Sequence, residues 1–224
     1  IPSKMPSPPS AVATSFPTLL ANINGSMIGR RLLALLLLCT SALFATLPAR
    51  GNAACLLVLG DSISTGFGLP AGAGWVELLR TELDDCEVVN ASISGETTEG
   101  GKTRLPALLE QHQPRLVVIE LGGNDGLRGF PLAVTRANLE SMIAAARRAG
   151  AGVLLLGMRI PPNYGPRYAE GFHALFGELA AATGAALVPF LLEGIATDAA
   201  LMQTDGVHPT ADAQPLILAN VLPV

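Results

Sequence analysis

No Gly-x-Ser-x-Gly occurs anywhere in the chain, which excludes the strand–turn–helix nucleophile elbow built on that pattern. No internal repeat or low-complexity linker interrupts residues 55–224, so that region reads as one domain. Basic residues are scarce, with 14 Lys and Arg against 18 Asp and Glu. Four of the basic residues, Lys4, Arg30, Arg31 and Arg50, fall within residues 1–52, where no acidic residue occurs. The 172 residues beyond them carry the other 10 against all 18 acidic ones, a net charge near −8. A domain so acidic lacks the basic footprint that nucleic acid requires. Nor is there an apolar run as long as the roughly 20 residues of a spanning helix, the longest being about 15.

That longest run has a different use. Arg30 and Arg31 precede the apolar stretch Leu32 to Leu38, which continues to Leu47 and gives way to the small residues Gly51 to Ala54. A basic start, an apolar middle and a small-residue exit make residues 27–54 a secretory signal peptide, with Met27 as its start and the cut after Ala53 or Ala54. The alternative is an anchor that is never removed. Lipoprotein processing at Cys55 is disfavoured because Asn52 stands where an aliphatic residue is wanted. Residues 1–26, rich in Pro, Ser and Ala, read as a non-native or disordered leader outside the fold. The mature protein is expected to be exported, periplasmic or secreted, with no membrane span.

Short continuous apolar runs occur at Cys55 to Leu59, Val88 to Ala91, Leu116 to Leu121, Val153 to Met158 and Ala186 to Phe190. Such runs suit strands covered on both faces. Between them, Gly74 to Leu83, Glu96 to Gln111, Pro131 to Ala149 and Pro166 to Thr183 carry Leu, Ala, Glu and Arg at helical spacing. Strand and helix alternate, which predicts an α/β fold of three layers, a parallel sheet between two layers of helices. Of the three cysteines, Cys39 lies in the signal peptide, while Cys55 and Cys86 each stand at the start of a predicted strand. If those strands are neighbours their starts lie about 5 Å apart, close enough for a disulfide. Two free thiols are the alternative.

In parallel sheets of this kind, functional residues gather beyond the carboxyl ends of the strands. That rule isolates Gly60 to Ser64, Ser92 to Gly95, Gly122 to Asp125 and the late loop Asp205 to His208. Ser62 follows a strand exit, as a nucleophile requires, although a serine after Gly-Asp also serves as a helix cap. His208 would take the Ser62 proton and return it to the leaving group, with Asp205 holding the imidazole in the reactive tautomer. Asp-x-x-His alone also fits a solvated loop with a surface histidine. Acyl transfer further needs donors for a developing oxyanion. The Ser62 and Gly95 amides and the Asn124 side chain are the candidates, though singly Gly95 could mark only a turn and Asn124 only a loop.

Taken together these residues resemble the SGNH, or GDSL, hydrolases. Gly60-Asp61-Ser62-Ile63-Ser64, Gly95, Gly122-Gly123-Asn124-Asp125 and Asp205 with His208 match the four blocks in order. Ile63 stands where the family name has leucine. The segments Val89 to Gly95, Arg104 to Leu109, Glu120 to Phe130, Pro162 to Gly165 and Asp212 to Pro215 resemble the periplasmic thioesterase branch, whose activities include arylesterase, lysophospholipase and protease. The resemblance implies a flavodoxin-like fold with a five-stranded parallel sheet and hydrolysis of acyl esters and thioesters. It also implies no metal or cofactor and small-molecule substrates, and a monomer is expected. It further implies that Gly126 to Pro131 is a loop that moves over bound acyl chains, with Gly126 and Gly129 permitting the motion. Asp61, Gly126, Leu127, Phe130, Ile160 and Tyr164 are the candidate substrate-binding residues, ordinary packing being the alternative for each. The end at Val224 leaves the last helix shorter than the family would have. Two rival functions stand beside this one: a carbohydrate acetyl esterase with the same machinery, and a non-catalytic acyl- or lipid-binding protein.

Overall fold

The computed structural model describes residues 54–224. The leader expected over residues 1–26 and the signal peptide over 27–54 lie outside these, apart from Ala54. Ala54 is tied into the fold, its amide donating to the His112 carbonyl at 2.9 Å and its own carbonyl accepting from the Arg115 amide at 3.2 Å.

The strands are β1 (Leu56–Gly60), β2 (Val88–Asn90), β3 (Leu116–Glu120), β4 (Gly152–Leu156) and β5 (Ala186–Val188). They form a five-stranded sheet of order β2-β1-β3-β4-β5, and every pairing is parallel. β1 is buried at all five positions, which explains why its sequence shows no alternation of apolar and polar residues. The helices are α1 (Ser62–Thr65), α2 (Trp75–Glu82), α3 (Thr98–His112), α4 (Gly123–Leu127), α5 (Leu132–Arg148), α6 (Pro166–Thr183) and α7 (Gln214–Val221). α3 packs on α5 and α5 on α6, while α2 packs on α7, giving the two layers that cover the sheet. The α/β fold read from the sequence is therefore the observed one.

Local chemistry sets the helix ends. Thr97 caps α3 by accepting the Gly100 amide, Pro166 opens α6, and Gly184 closes α6 in the left-handed conformation. The buried start of α2 is capped from a distance, the Trp75 amide donating to Gln214 Oε1 at 3.0 Å. α3 lies close against the sheet at Gly101, where a Cβ would overlap Leu121.

Two features differ from the sequence reading. Four of the five strands, all but β1, stop earlier than their apolar runs, so Ala91, Leu121, Gly157 and Pro189 already belong to the connections that carry the site. The turns expected after β1 and β3 are the short helices α1 and α4, of four and five residues, too short to show a helical repeat. Cys55 and Cys86, just before β1 and β2, are joined in a disulfide with Cα atoms 5.1 Å apart. In this strand order the sheet reverses its winding between β1 and β3, where a crevice opens at the carboxyl ends. β1 leads into Ser62 there and β3 into Asn124.

Candidate active site

Ser62 is the first residue of α1, and Asp61 caps that helix by accepting the Ile63 amide at 3.1 Å. His208 sits on a narrow loop. Met202 bridges Pro209, the Gln203 amide donates to the His208 carbonyl at 2.7 Å, and Gly206 takes a positive φ of 67° at the tip. Gln203 also anchors the loop, its Nε2 donating to the Phe67 carbonyl at 2.8 Å and the Pro209 carbonyl at 3.0 Å. The Phe67 ring lies against the imidazole, with centroids 4.6 Å apart.

These supports bring His208 Nε2 to 2.8 Å from Ser62 Oγ, across 146 residues of sequence. Its Nδ1 lies 2.7 Å from Asp205 Oδ2. Asp205 Oδ1 accepts the backbone amides of Val207 at 2.9 Å and His208 at 3.0 Å. The His208 amide, then its imidazole, then the Val207 amide hold the Asp205 carboxyl down at about 2. An ionised Asp205 fixes the proton on Nδ1 and leaves Nε2 free to accept from the Ser62 hydroxyl. Spacing alone does not select this histidine. Glu170 also stands three residues before His173, and there the imidazole lies 3.1 Å from Arg159 instead.

Asn124, in the first turn of α4, gathers the candidate oxyanion donors. Its Nδ2 donates to Asp61 Oδ2 and to the Glu96 carbonyl, both at 3.0 Å. One amide thus spans the neighbour of Ser62 and the neighbour of Gly95. Gly95 has φ of 78°, a conformation that side chains oppose, and its carbonyl accepts from Arg128 Nη2 at 3.2 Å.

The expected substrate-binding residues separate. Asp61 is buried and faces Asn124 rather than a groove, so its place is structural support beneath Ser62. Gly126 is buried inside α4 with a negative φ, and a Cβ there would lie 2.7 Å from Ile160 and 2.8 Å from Phe172. It is a close-packing glycine, and Ile160 is the core residue packed on it. The positive φ of the expected moving loop sits at Gly129 alone. Leu127 and Phe130 are half-buried, and tyrosines hold their carbonyls: Tyr164 donates to Leu127 at 3.0 Å and Tyr168 to Phe130 at 2.6 Å. An open groove of about 420 Å³, lined by Leu132, Tyr164, Pro166, Arg167 and Tyr168, lies beside them. Of the six expected residues, Tyr164 alone lines it.

Residues 58–215 match the model of the GDSL-like lipase/acylhydrolase family. The chain belongs to that family. It is 55% identical to Esterase TesA of Pseudomonas aeruginosa over 79% of this chain and 90% of that protein. It is 48% identical to thioesterase 1/protease 1/lysophospholipase L1 of Escherichia coli, over 72% of this chain and 78% of that one. Among solved structures it resembles the psychrotrophic esterase EstA from Pseudoalteromonas, inhibited by monoethylphosphonate. The TM-score there is 0.71 at 44% identity, covering 77% of this chain and 96% of that one. As a GDSL-family chain, it is a hydrolase of the esterase and thioesterase type.

Sequence reasoning passed over several residues of this site. Glu120 ends β3 fully buried beneath Asp61, and its position inside the apolar run Leu116 to Leu121 hides it. A carboxylate closing an otherwise aliphatic strand was the available signal. Gln203 and Phe67 carried none, because their partners lie across the loop rather than along the chain. Asp125, next to Asn124, is likewise buried and holds α3 by accepting the Thr98 amide at 2.9 Å and the Thr98 hydroxyl.

Proposed function

We propose that this GDSL-family hydrolase cleaves acyl esters and thioesters with Ser62 as nucleophile, His208 as general base and acid, and Asp205 as the group that orients and charges the imidazole. The observation that carries the reading is the unbroken line from Asp205 through His208 to Ser62, with contacts of 2.7 Å and 2.8 Å. As Ser62 Oγ attacks the acyl carbonyl, its proton passes to His208 Nε2, and the imidazolium is stabilised by Asp205. The oxyanion is received by the Ser62 and Gly95 amides and Asn124 Nδ2, which exchanges one of its two internal acceptors for the oxyanion. His208 then protonates the departing alcohol or thiol, and a water deprotonated by His208 releases the acid.

The names borne by the relatives, esterase and thioesterase 1/lysophospholipase L1, support acyl chains as substrates. Leu132, Tyr164 and Tyr168 line the 420 Å³ groove, and the two tyrosine hydroxyls hold the Leu127 and Phe130 carbonyls beside it. Export is part of the same reading. The Cys55–Cys86 disulfide suits an oxidising compartment, and no helix among the described residues is long and apolar enough to cross a membrane.

Steady-state hydrolysis of p-nitrophenyl acetate, butyrate, octanoate and palmitate, beside palmitoyl-CoA, tests it with Ser62→Ala as the blank. Turnover that extends beyond acetate, includes the thioester and disappears in the variant supports the proposal. Turnover confined to acetate replaces it with a carbohydrate-type acetyl esterase, and turnover that survives in Ser62→Ala removes the mechanism.

A further inference from the structure

Beneath Ser62 lie two carboxyl groups that the proposed mechanism does not use. Glu120 is the last residue of β3, opposite Gly60 in the register with β1. It is 0% exposed, and Asp61 is 3% exposed. Glu120 Oε2 accepts the Asp61 amide at 3.0 Å and the Ser64 hydroxyl at 2.7 Å. Gly60 makes the room, since a Cβ there would lie 2.6 Å from that oxygen. Asp61 in turn spends Oδ1 on the Ile63 amide and Oδ2 on Asn124 Nδ2. Among the described residues, no Lys or Arg pairs with either side chain.

We propose that Glu120 is a positioning residue for the hydrolysis: it carries the proton of the buried Glu120–Asp61 pair, and by accepting the Asp61 amide it holds, through Asp61, the Asn124 amide in its oxyanion-binding place. This rests on the serine-hydrolase reading above. Two buried carboxylates side by side cannot both ionise. Burial raises both, and the Asp61 charge raises Glu120 as well. Both Asp61 oxygens accept donors while Glu120 Oε1 is buried with no hydrogen-bond partner, so the proton of the pair falls to Glu120. His208 is the other titratable group near Asp61. With the proton on Glu120, Asp61 stays an acceptor and orients Asn124. Loss of that proton would place a second negative charge under the site where an oxyanion must form.

A double-mutant cycle reads this directly, with kcat and KM measured on p-nitrophenyl butyrate for Asp61→Asn, Asn124→Ala and the pair. Asp61→Asn keeps one acceptor for two donors, the Ile63 amide and Asn124 Nδ2, so either the Asn124 contact or the cap beneath it is lost, and kcat falls by about 10²-fold with KM moving less than about threefold. Because both changes act on one amide, the double variant loses no more than about threefold beyond the worse single. Glu120→Leu lowers kcat by at least about tenfold, and Glu120→Gln, which keeps a donor and an acceptor, rescues most of that loss. Asp61→Ser substitutes in the cycle if Asp61→Asn fails to fold by circular dichroism. Losses that multiply in the double variant overturn the proposal, as does a folded Glu120→Gln no better than Glu120→Leu. A wild type whose turnover survives Ser62→Ala would instead overturn the reading beneath it, so the two failures are distinct.

Discussion

Asp205 grips His208 at two points, the ring at 2.7 Å through one carboxylate oxygen and the backbone amide at 3.0 Å through the other. The second contact shapes the loop and the first selects the tautomer, so the two can be separated by substitution. Asp205→Asn keeps an oxygen for the Val207 and His208 amides and sets an amide donor against Nδ1–H. The loop is expected to persist while kcat falls by about 10²- to 10⁴-fold. Ester kinetics beside a thermal melt check this, and a comparable fall in melting temperature would mean that the charge was holding the loop.

The same carboxylate gives a pH dependence of definite sign. Its folded value is depressed to about 2, chiefly by the His208 amide. A depressed acid contributes stability that is present above its unfolded value near 4 and lost as pH falls through the folded one. Any stability margin of the wild type over Asp205→Asn should therefore close between about pH 4 and pH 2, with no change above. Because Asp205 is 41% exposed at its side chain, the margin should be small and shrink with added salt. Melting curves of the two proteins across that range decide it.

The strands and the site were legible for one reason and partly hidden for another. Runs such as Leu56 to Leu59 announce strands buried on both faces, and in a parallel sheet the residues just past them meet at one edge. Ser62, Asn124 and His208 could therefore be named with no distances in hand. Glu120 could not, because its meaning comes from register: it matters only once β3 lies beside β1 and places it against Gly60. Gly126 misled in the opposite way. A glycine in a loop-like sequence suggests a hinge, whereas its actual neighbours, Ile160 and Phe172, come from elsewhere in the chain and require the absence of a side chain.

That contrast predicts different costs at two glycines three residues apart. Gly126→Ala drives a methyl against Ile160 and Phe172, both core residues, and should destabilise by about 1–3 kcal/mol. It also displaces α4, so kcat should fall as Asn124 moves. Gly129→Ala meets nothing within 4 Å and carries only the strain of its φ of 68°, about 1 kcal/mol, with kcat nearly unchanged. Denaturant melts and kinetics on both variants would show the order, and equal effects would return Gly126 to the role of hinge.

The Cys55–Cys86 bridge lies at the amino ends of β1 and β2, and Ser62 at the carboxyl end of β1. Stability and chemistry should therefore part on reduction. Closing a loop of 31 residues restricts the unfolded chain by about 2–4 kcal/mol, and Cys55→Ala with Cys86→Ala should lose that much in urea unfolding. The kcat of the folded fraction should be unaffected.

Gln203 makes the converse case, a residue that touches no reacting atom and yet sets where one sits. Its side-chain amide joins the Phe67 carbonyl, just after the Ser62 helix, to the Pro209 carbonyl, just after His208. These bonds tie the two halves of the catalytic line to each other, and one side chain supplies both. Gln203→Leu fills similar space and leaves the exposed Phe67 carbonyl to solvent, but takes the donor from the carbonyl of buried Pro209, so the melting temperature should fall modestly. The His208 loop loses its lateral tie, and the 2.8 Å contact to Ser62 becomes one of several positions. A misplacement of about 1 Å at a reacting pair can cost on the order of 10²-fold. The fall should appear in kcat for every acyl length alike, because no part of the acyl groove has changed. A loss that instead grew with chain length, measured across p-nitrophenyl acetate to palmitate, would place Gln203 in substrate binding rather than in alignment of the imidazole.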